Sequence, residues 1–199
     1  MKTPSVTTVL RIIGGDKVDA FKRAAFNAAK NGNKDEDFDS YQNKIFGIGT
    51  LTHNLCEAFI KDEEAIIDPK FSENEVGIAQ NCADKFKKFW LERGFTIEAV
   101  EKQFHSELGY TGKIDILAID SDGRRCLIDI KTGNKIYEDV WYQLAAYKEM
   151  IPGNIDSCIV IRLGKDNDEI EIEERDDDMG RETDIFFAAL KLWNLINNN

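Results

Sequence analysis

Residues 112–131, GKIDILAIDSDGRRCLIDIK, constrain this chain more than any other stretch. Two apolar, strand-like runs flank Asp120-Ser121-Asp122-Gly123, which has the residue types of a tight hairpin turn. The second run, with Cys126, Leu127, Ile128 and Ile130, belongs in a core, yet Asp129 and Lys131 interrupt it. Spaced by two, they share one face of the strand. A turn near 121–122 sets Asp115 opposite roughly 128, so Asp115 and Asp129 are expected as cross-strand or diagonal neighbours. Two carboxylates that close repel unless a cation lies between them, which points to a Mg²⁺ or Mn²⁺ site with an ammonium at its side. A plain salt bridge between Lys131 and either aspartate is the other reading of the same three residues.

The rest of the chain supplies layers for this hairpin. Ser5 is placed to cap a short helix carrying Val6, Val9, Leu10 and Ile13, stopped by Gly14-Gly15. Asp16 can cap a second helix running to Lys30, and the polar segment 33–44 reads as a mobile loop. Helices are expected over 49–61 and 73–93. In the latter Ala79, Cys82, Ala83, Phe86, Phe89 and Trp90 recur at helical spacing, and Gly94 is the stop. The period then becomes two. Strands are expected over 96–105, 112–120 and 124–131, then a helix over 137–150, strands over 156–163 and 168–174, and a helix over 181–196. This order predicts an α/β protein with a mixed central sheet, built as one domain over 1–199. No glycine-rich phosphate-binding signature is present to suggest a nucleotide fold.

Composition narrows the function. The net charge of −11 argues against a nucleic-acid binder on its face, but the acids are unevenly placed. Residues 165–184 hold eleven acids against three bases, and residues 61–75 hold six against two, which leaves the remainder close to neutral. A locally positive groove is therefore compatible with the sum. The four cysteines, Cys56, Cys82, Cys126 and Cys158, form no CxxC pair and read as reduced core thiols, with no metal or iron–sulfur cluster expected on them. No apolar run approaches the ~18 residues of a membrane span, and the N-terminus lacks a secretory h-region, so a cytoplasmic setting (a bacterial or phage-infected host cytosol) is expected.

Further residues join the hairpin. His53 and Glu57 lie one turn apart on the helix over 49–61, behind a Gly47-x-Gly49 run that permits close backbone approach. A nitrogen ligand added to carboxylates tilts a site toward Mn²⁺. His105 lacks such company and reads as structural. Gln143 and Tyr147 lie one turn apart on the helix after Lys131, and a polar amide beside Trp141 and Leu144 needs a partner.

The ordered set His53; Gly112-Lys113-Ile114-Asp115; Asp129-Ile130-Lys131; Gln143-x-x-x-Tyr147 resembles the PD-(D/E)xK nuclease superfamily, in its RecB-type branch. Pro4-Ser5-Val6-Thr7-x-Val9-Leu10, Gly49-x-x-x-His53-x-x-x-Glu57 and Tyr110-x-Gly112-x-x-Asp115 bring it nearer to the mitochondrial genome-maintenance exonuclease group and its phage and bacterial relatives. The likeness runs from residue 4 to about 150. It implies a restriction-endonuclease-like three-layer fold, a mixed sheet flanked by helices. It further implies metal ligation by Asp115, Asp129, His53 and the Ile130 carbonyl, with Lys131 serving the attacking water. Gln143 and Tyr147 would contact the DNA strand near the scissile phosphate and help set the site, Ser5 would contact a phosphate, and Glu57 would support His53 or ligate a distal metal.

The implied activity is a metal-dependent DNA exonuclease for single strands or frayed ends, in replication, repair, recombination or phage DNA processing. Residues 16–44 would then form a helical arch, with Lys17, Lys22, Arg23 and Lys30 on phosphates and Phe21 or Phe26 as stacking surfaces. A structure-selective endonuclease on the same site and a non-catalytic acidic scaffold or DNA mimic are the alternatives. Protein partners are not legible in the residues.

Overall fold

The computed structural model describes residues 3–14, 24, 38–165 and 170–197. The elements are α1 (Val6–Leu10), α2 (Phe38–Lys61), α3 (Glu73–Arg93), β1 (Thr96–Val100), β2 (Gln103–His105), β3 (Thr111–Lys113), β4 (Ile116–Ile119), β5 (Arg125–Lys131), α4 (Asp139–Met150), β6 (Ser157–Arg162), β7 (Glu171–Arg175) and α5 (Gly180–Asn197). The five-stranded main sheet has the order β1-β4-β5-β6-β7, and β2 and β3 form a separate ribbon. Among the described strands of this sheet, β5 and β6 alone pair in parallel. A parallel pair needs a crossover between its strands, and α4 lies in that connection.

β5 is central and buried on both faces, which is why its sequence is nearly all apolar. Alternation sorts its side chains into two cores. Leu127, with Cys158 and Val160 of β6, joins α1, α4 and α5 on one face. Cys126, Ile128 and Ile130, with Ile159 and Ile161, meet Cys56, Cys82, Phe86 and Trp90 of α2 and α3 on the other. The result is the α/β arrangement with a mixed central sheet that the order of elements predicted, in the three layers that the resemblance implied. All four cysteines are buried and free. Among the described residues no helix is long and apolar enough to cross a membrane.

Local signals end the elements as expected in several places. Ser72 and Glu75 form a reciprocal capping box on α3, and Gly94 closes it with a left-handed φ of 62°. Two expectations are corrected. The helix read over 49–61 starts at Phe38, so the part of the polar segment from 38 to 44 is helical. Gly47 and Gly49 disfavour a helix interior by about 1 kcal/mol each, and here packing overrides that cost. A Cβ on Gly47 would stand 3.0 Å from the Phe71 ring, and one on Gly49 would stand 3.0 Å from Thr132 Oγ1. Apart from Ala24, which is helical, the remainder of the proposed arch, including Lys17, Phe21, Lys22, Arg23, Phe26 and Lys30, lies outside the described residues.

The second correction concerns the strands read over 96–105 and 112–120. Each is broken, the first at Glu101–Lys102 and the second at Ile114–Asp115. The breaks are level with each other. Glu101 N–H donates to the Asp115 carbonyl at 2.8 Å, and Ile114 N–H donates to the Lys102 carbonyl at 3.0 Å. The outer halves peel away as the β2–β3 ribbon. Gly112, in that ribbon, faces α4 so closely that a Cβ would stand 2.5 Å from both Tyr147 Cε1 and Met150 Cε.

Gly112→Ala should therefore destabilise the protein by roughly 1–3 kcal/mol through overpacking. Urea unfolding measures it, and an unchanged midpoint would contradict the close seat of Tyr147 on the ribbon.

Candidate metal centre and active site

The hairpin register decides where the carboxylates fall. Asp120 N–H donates to the Arg124 carbonyl and Gly123 N–H to the Asp120 carbonyl, each at 3.0 Å, with Gly123 at φ 80°. The loop thus has three residues and ends in a left-handed glycine, a form common in hairpins. Ile116 pairs with Ile128 and Leu117 with Leu127. Continued by one residue, that register sets Asp115 level with Asp129, one position from the 115-to-128 pairing expected of a turn at 121–122.

β4 ends at Ile119 on one side and begins only at Ile116, so beyond Ile128 its partner strand no longer supplies a ladder. The Asp115 side chain fills the role, with Oδ2 accepting from Ile130 N–H at 2.8 Å. The same oxygen lies 3.6 Å from His53 Nδ1. His53 arrives from α2, whose close approach to the end of β5 is the one that Gly49 permits. Asp129 is 1% exposed. Its Oδ1 accepts from Gln143 Nε2 at 3.2 Å. Its Oδ2 lies 2.6 Å from Lys131 Nζ as an ion pair.

Glu101 is the residue that the sequence reading missed. His53, Glu101 and Asp115 each offer a donor atom, and the three atoms lie within 4.8 Å of one another. Glu101 reaches them because the strand break gives it a φ of 49°, an uncommon backbone for a non-glycine residue. The Lys113 ammonium pairs with its carboxylate. No motif spacing marks Glu101. In a strand continuous over 96–105 it is one more alternating acid.

The other candidates are placed as follows. Glu57 pairs with Lys61 at 2.5 Å, one turn further along α2, and is not among the three converging donors. Ser5 caps α1, its Oγ accepting from Thr8 N–H at 3.1 Å. Gln143 donates from the same Nε2 to Tyr147 Oη at 3.0 Å. Tyr147 itself is buried, and its phenol is pushed well above the ordinary value by burial first and by Asp129 next, so it stays neutral. The Ile130 side chain is in the core, and its amide, as noted, is on Asp115.

Electrostatics identify what the cluster lacks. Burial, then the nearby Asp129, push the Asp115 carboxyl up to about 6, against partial relief from His53, Lys131 and the Ile130 amide. Burial works against the Lys131 ammonium, but Asp129 and Asp115 outweigh it and leave its pKa raised. At neutral pH Lys131 is therefore a proton donor and a positive charge, not a base. One imidazole nitrogen with two or more carboxylates, gathered from three elements, fits a divalent cation.

This cost has a pH signature in the metal-free protein. Asp115 goes from an ordinary 3.8 to about 6 on folding, so between those values the folded state holds more protons. Its contribution to stability is intact below about pH 4 and is lost as pH rises through 6. Asp115→Asn should leave stability unchanged near pH 4 and raise it by on the order of 2 kcal/mol above pH 6. Melting curves across pH with a chelator present check the sign, and a loss of stability at pH 7 would contradict it.

No protein-family model matches this chain, and no curated protein matches it. Among solved structures, a protein from Eubacterium rectale named "Putative exonuclease" aligns with a TM-score of 0.50 at 12% identity, over 77% of this chain and 66% of that one. This chain therefore spans just under two thirds of that protein's length. A second structure, SSO0001, aligns at 12% identity over 73% of this chain and 74% of its own, with a TM-score of 0.36 that is too low to bear on the fold. At such identity the first likeness speaks to architecture alone, a three-layer, nuclease-like α/β fold.

Proposed function

We propose that this protein is a divalent-metal-dependent phosphodiester hydrolase acting on DNA, an exonuclease of the RecB-type PD-(D/E)xK branch that works on single strands or frayed ends. The observation that carries the reading is the convergence of Asp115, Asp129, Lys131 and His53 at the end of one buried strand. The order of those residues along the sequence and the nuclease-like architecture support it.

In this reading His53, Asp115 and Glu101, whose donor atoms converge, would hold the cation, and Asp129, whose oxygens face Gln143 and Lys131, and the Ile130 carbonyl would complete its shell as the resemblance implies. A Mg²⁺ or Mn²⁺ ion there supplies Lewis acidity toward a phosphodiester and favours ionisation of water. Asp115 must be deprotonated to serve, and a cation beside it would favour that form. Lys131, held as an ammonium, orients the water and stabilises negative charge on the phosphoryl oxygens. Asp129 keeps that ammonium in place through its ion pair.

An acidic DNA mimic is the reading from another class, and the acidic C-terminal segment speaks against it. Four of its eight described acids, Glu171, Glu174, Asp176 and Glu182, pair with arginines. Glu174 lies 2.8 Å from Arg93 and 3.0 Å from Arg124, Glu182 lies 3.1 Å from Arg175, and Glu171 pairs with Arg162. A mimic needs such charges presented outward on a continuous face.

With Mn²⁺, the wild type should degrade linear single-stranded DNA and spare circular single strands. Lys131→Ala should lose at least about 10²-fold in rate, and Asp129→Ala should be inactive. Inertness of the wild type on every DNA form, or full activity of either variant, overturns the nuclease reading. Cleavage of circles would instead make it an endonuclease. Glu101→Gln should weaken Mn²⁺ binding by roughly tenfold, measured by electron paramagnetic resonance, and unaltered affinity would remove Glu101 from the centre.

A further inference from the structure

In the metal-free protein, three carboxylates at the centre are each paired with a lysine. Lys131 pairs with Asp129, Lys61 with Glu57 and Lys113 with Glu101, while Asp115 faces the His53 imidazole at 3.6 Å. The three ammoniums are not equivalent. Lys131 belongs to an aspartate that is 1% exposed, and Lys61 to a glutamate outside the converging donor set. Of the three, only Lys113 sits on a member of that set, the Glu101 carboxylate that gathers with His53 and Asp115. Its side chain is also the freest, 57% exposed against 36% for Lys61 and 30% for Lys131.

Lys113 can leave this pair, and Glu101 cannot. Glu101 is anchored at the paired strand break, where its N–H donates to the Asp115 carbonyl at 2.8 Å, and its side chain is 17% exposed. Lys113 is the last residue of β3 and carries its charge on a flexible four-carbon stem. An ion pair with so exposed a member holds weakly. A divalent cation on the same carboxylate has twice the charge and repels the ammonium besides.

Alternation along the ribbon decides where the freed side chain goes. Gly112 faces α4, so Lys113 belongs to the opposite face. There it lies across from Gln103, with the His105–Thr111 pair next along the same face. None of these neighbours is an acid, and Gln103 and His105 are exposed. In a chain of net charge −11, such a face beside a lysine suits an anion. We infer that Lys113 is an exchangeable counter-ion: it holds Glu101 in the metal-free protein, yields that carboxylate to the divalent cation, and then takes a phosphate of the bound strand. Cation and strand thereby favour each other's binding, by the same factor in both directions. This rests on the metal-dependent nuclease reading above and adds to it a residue that links the two ligands.

Two measurements test it. Electron paramagnetic resonance gives the Mn²⁺ Kd without DNA. Fluorescence anisotropy gives the salt dependence of binding to a single-stranded oligonucleotide, in a Lys131→Ala background that slows cleavage, with Mn²⁺ or with a chelator. Lys113→Met should lower the Mn²⁺ Kd by about threefold or more, because the competing ammonium is gone. With Mn²⁺ present it should also flatten the plot of log K against log salt by about 0.7, the share of one phosphate contact on a single strand. With chelator the slopes with and without Lys113→Met should coincide, since the lysine is then on Glu101. Lys113→Arg should keep the behaviour of the lysine in both measurements. A Mn²⁺ Kd that is unchanged or raised in Lys113→Met overturns the inference, and so does a slope difference that is the same with chelator as with Mn²⁺. These failures are separable from failure of the nuclease reading. A protein that binds Mn²⁺ but no DNA defeats that reading and the phosphate step with it, and the Kd of Lys113→Met still decides the exchange at Glu101. A nuclease whose Mn²⁺ Kd ignores Lys113→Met defeats the exchange alone.

Discussion

One hydrogen bond holds the centre together, from the Ile130 amide to Asp115 Oδ2 at 2.8 Å. It replaces a ladder bond at the point where β4 has stopped and β5 continues. A backbone donor at that level would otherwise be buried without a partner, at a cost of ~1–3 kcal/mol. Satisfying it with a carboxylate brings that carboxylate level with Asp129, and the two repel. The sheet's need for a partner thus outweighs the repulsion and keeps both charges where a cation can use them. His53, Glu101 and Lys131 are arranged around this bond.

The break in the two strands is the structural counterpart of that bond. If 96–105 and 112–120 ran on as continuous strands, Asp115 would be an ordinary ladder residue and Glu101 would have no reason to turn toward it. The paired breaks free one side chain from each strand and send the outer halves off as a ribbon. That ribbon then carries Gly112 against Tyr147 and Lys113 against Glu101. The geometry of the candidate site and the branching of the sheet are one feature seen from two sides.

This explains what could be read in advance. Asp129 and Lys131 were legible because strand alternation is local, and polar residues on one face of a buried strand must find a partner, here first of all each other. The hairpin was legible from its turn residues, but the pairing was off by one position because a left-handed Gly123 lengthens the loop to three residues. Glu101 was not legible, since its place depends on two strands breaking at the same level, which neither strand reveals alone. The start of α2 was hidden by Gly47 and Gly49, whose low helix propensity is overridden by packing on Phe71 and Thr132. Gln143 announced that it needed a partner, but only the packed structure shows Asp129 and Tyr147 as the two it has.

The buried cysteines bear on which cations the centre can accept. Cys56 sits on α2 three residues from His53 and feels the charge of Asp115, yet burial and that charge both hold its thiol far above the ordinary range. Its sulfur lies in the core with Cys82, Phe86 and Ile128 and is not among the donor atoms that gather at His53, Glu101 and Asp115. The donors that do gather there are nitrogen and oxygen, a set that suits hard cations better than thiophilic ones.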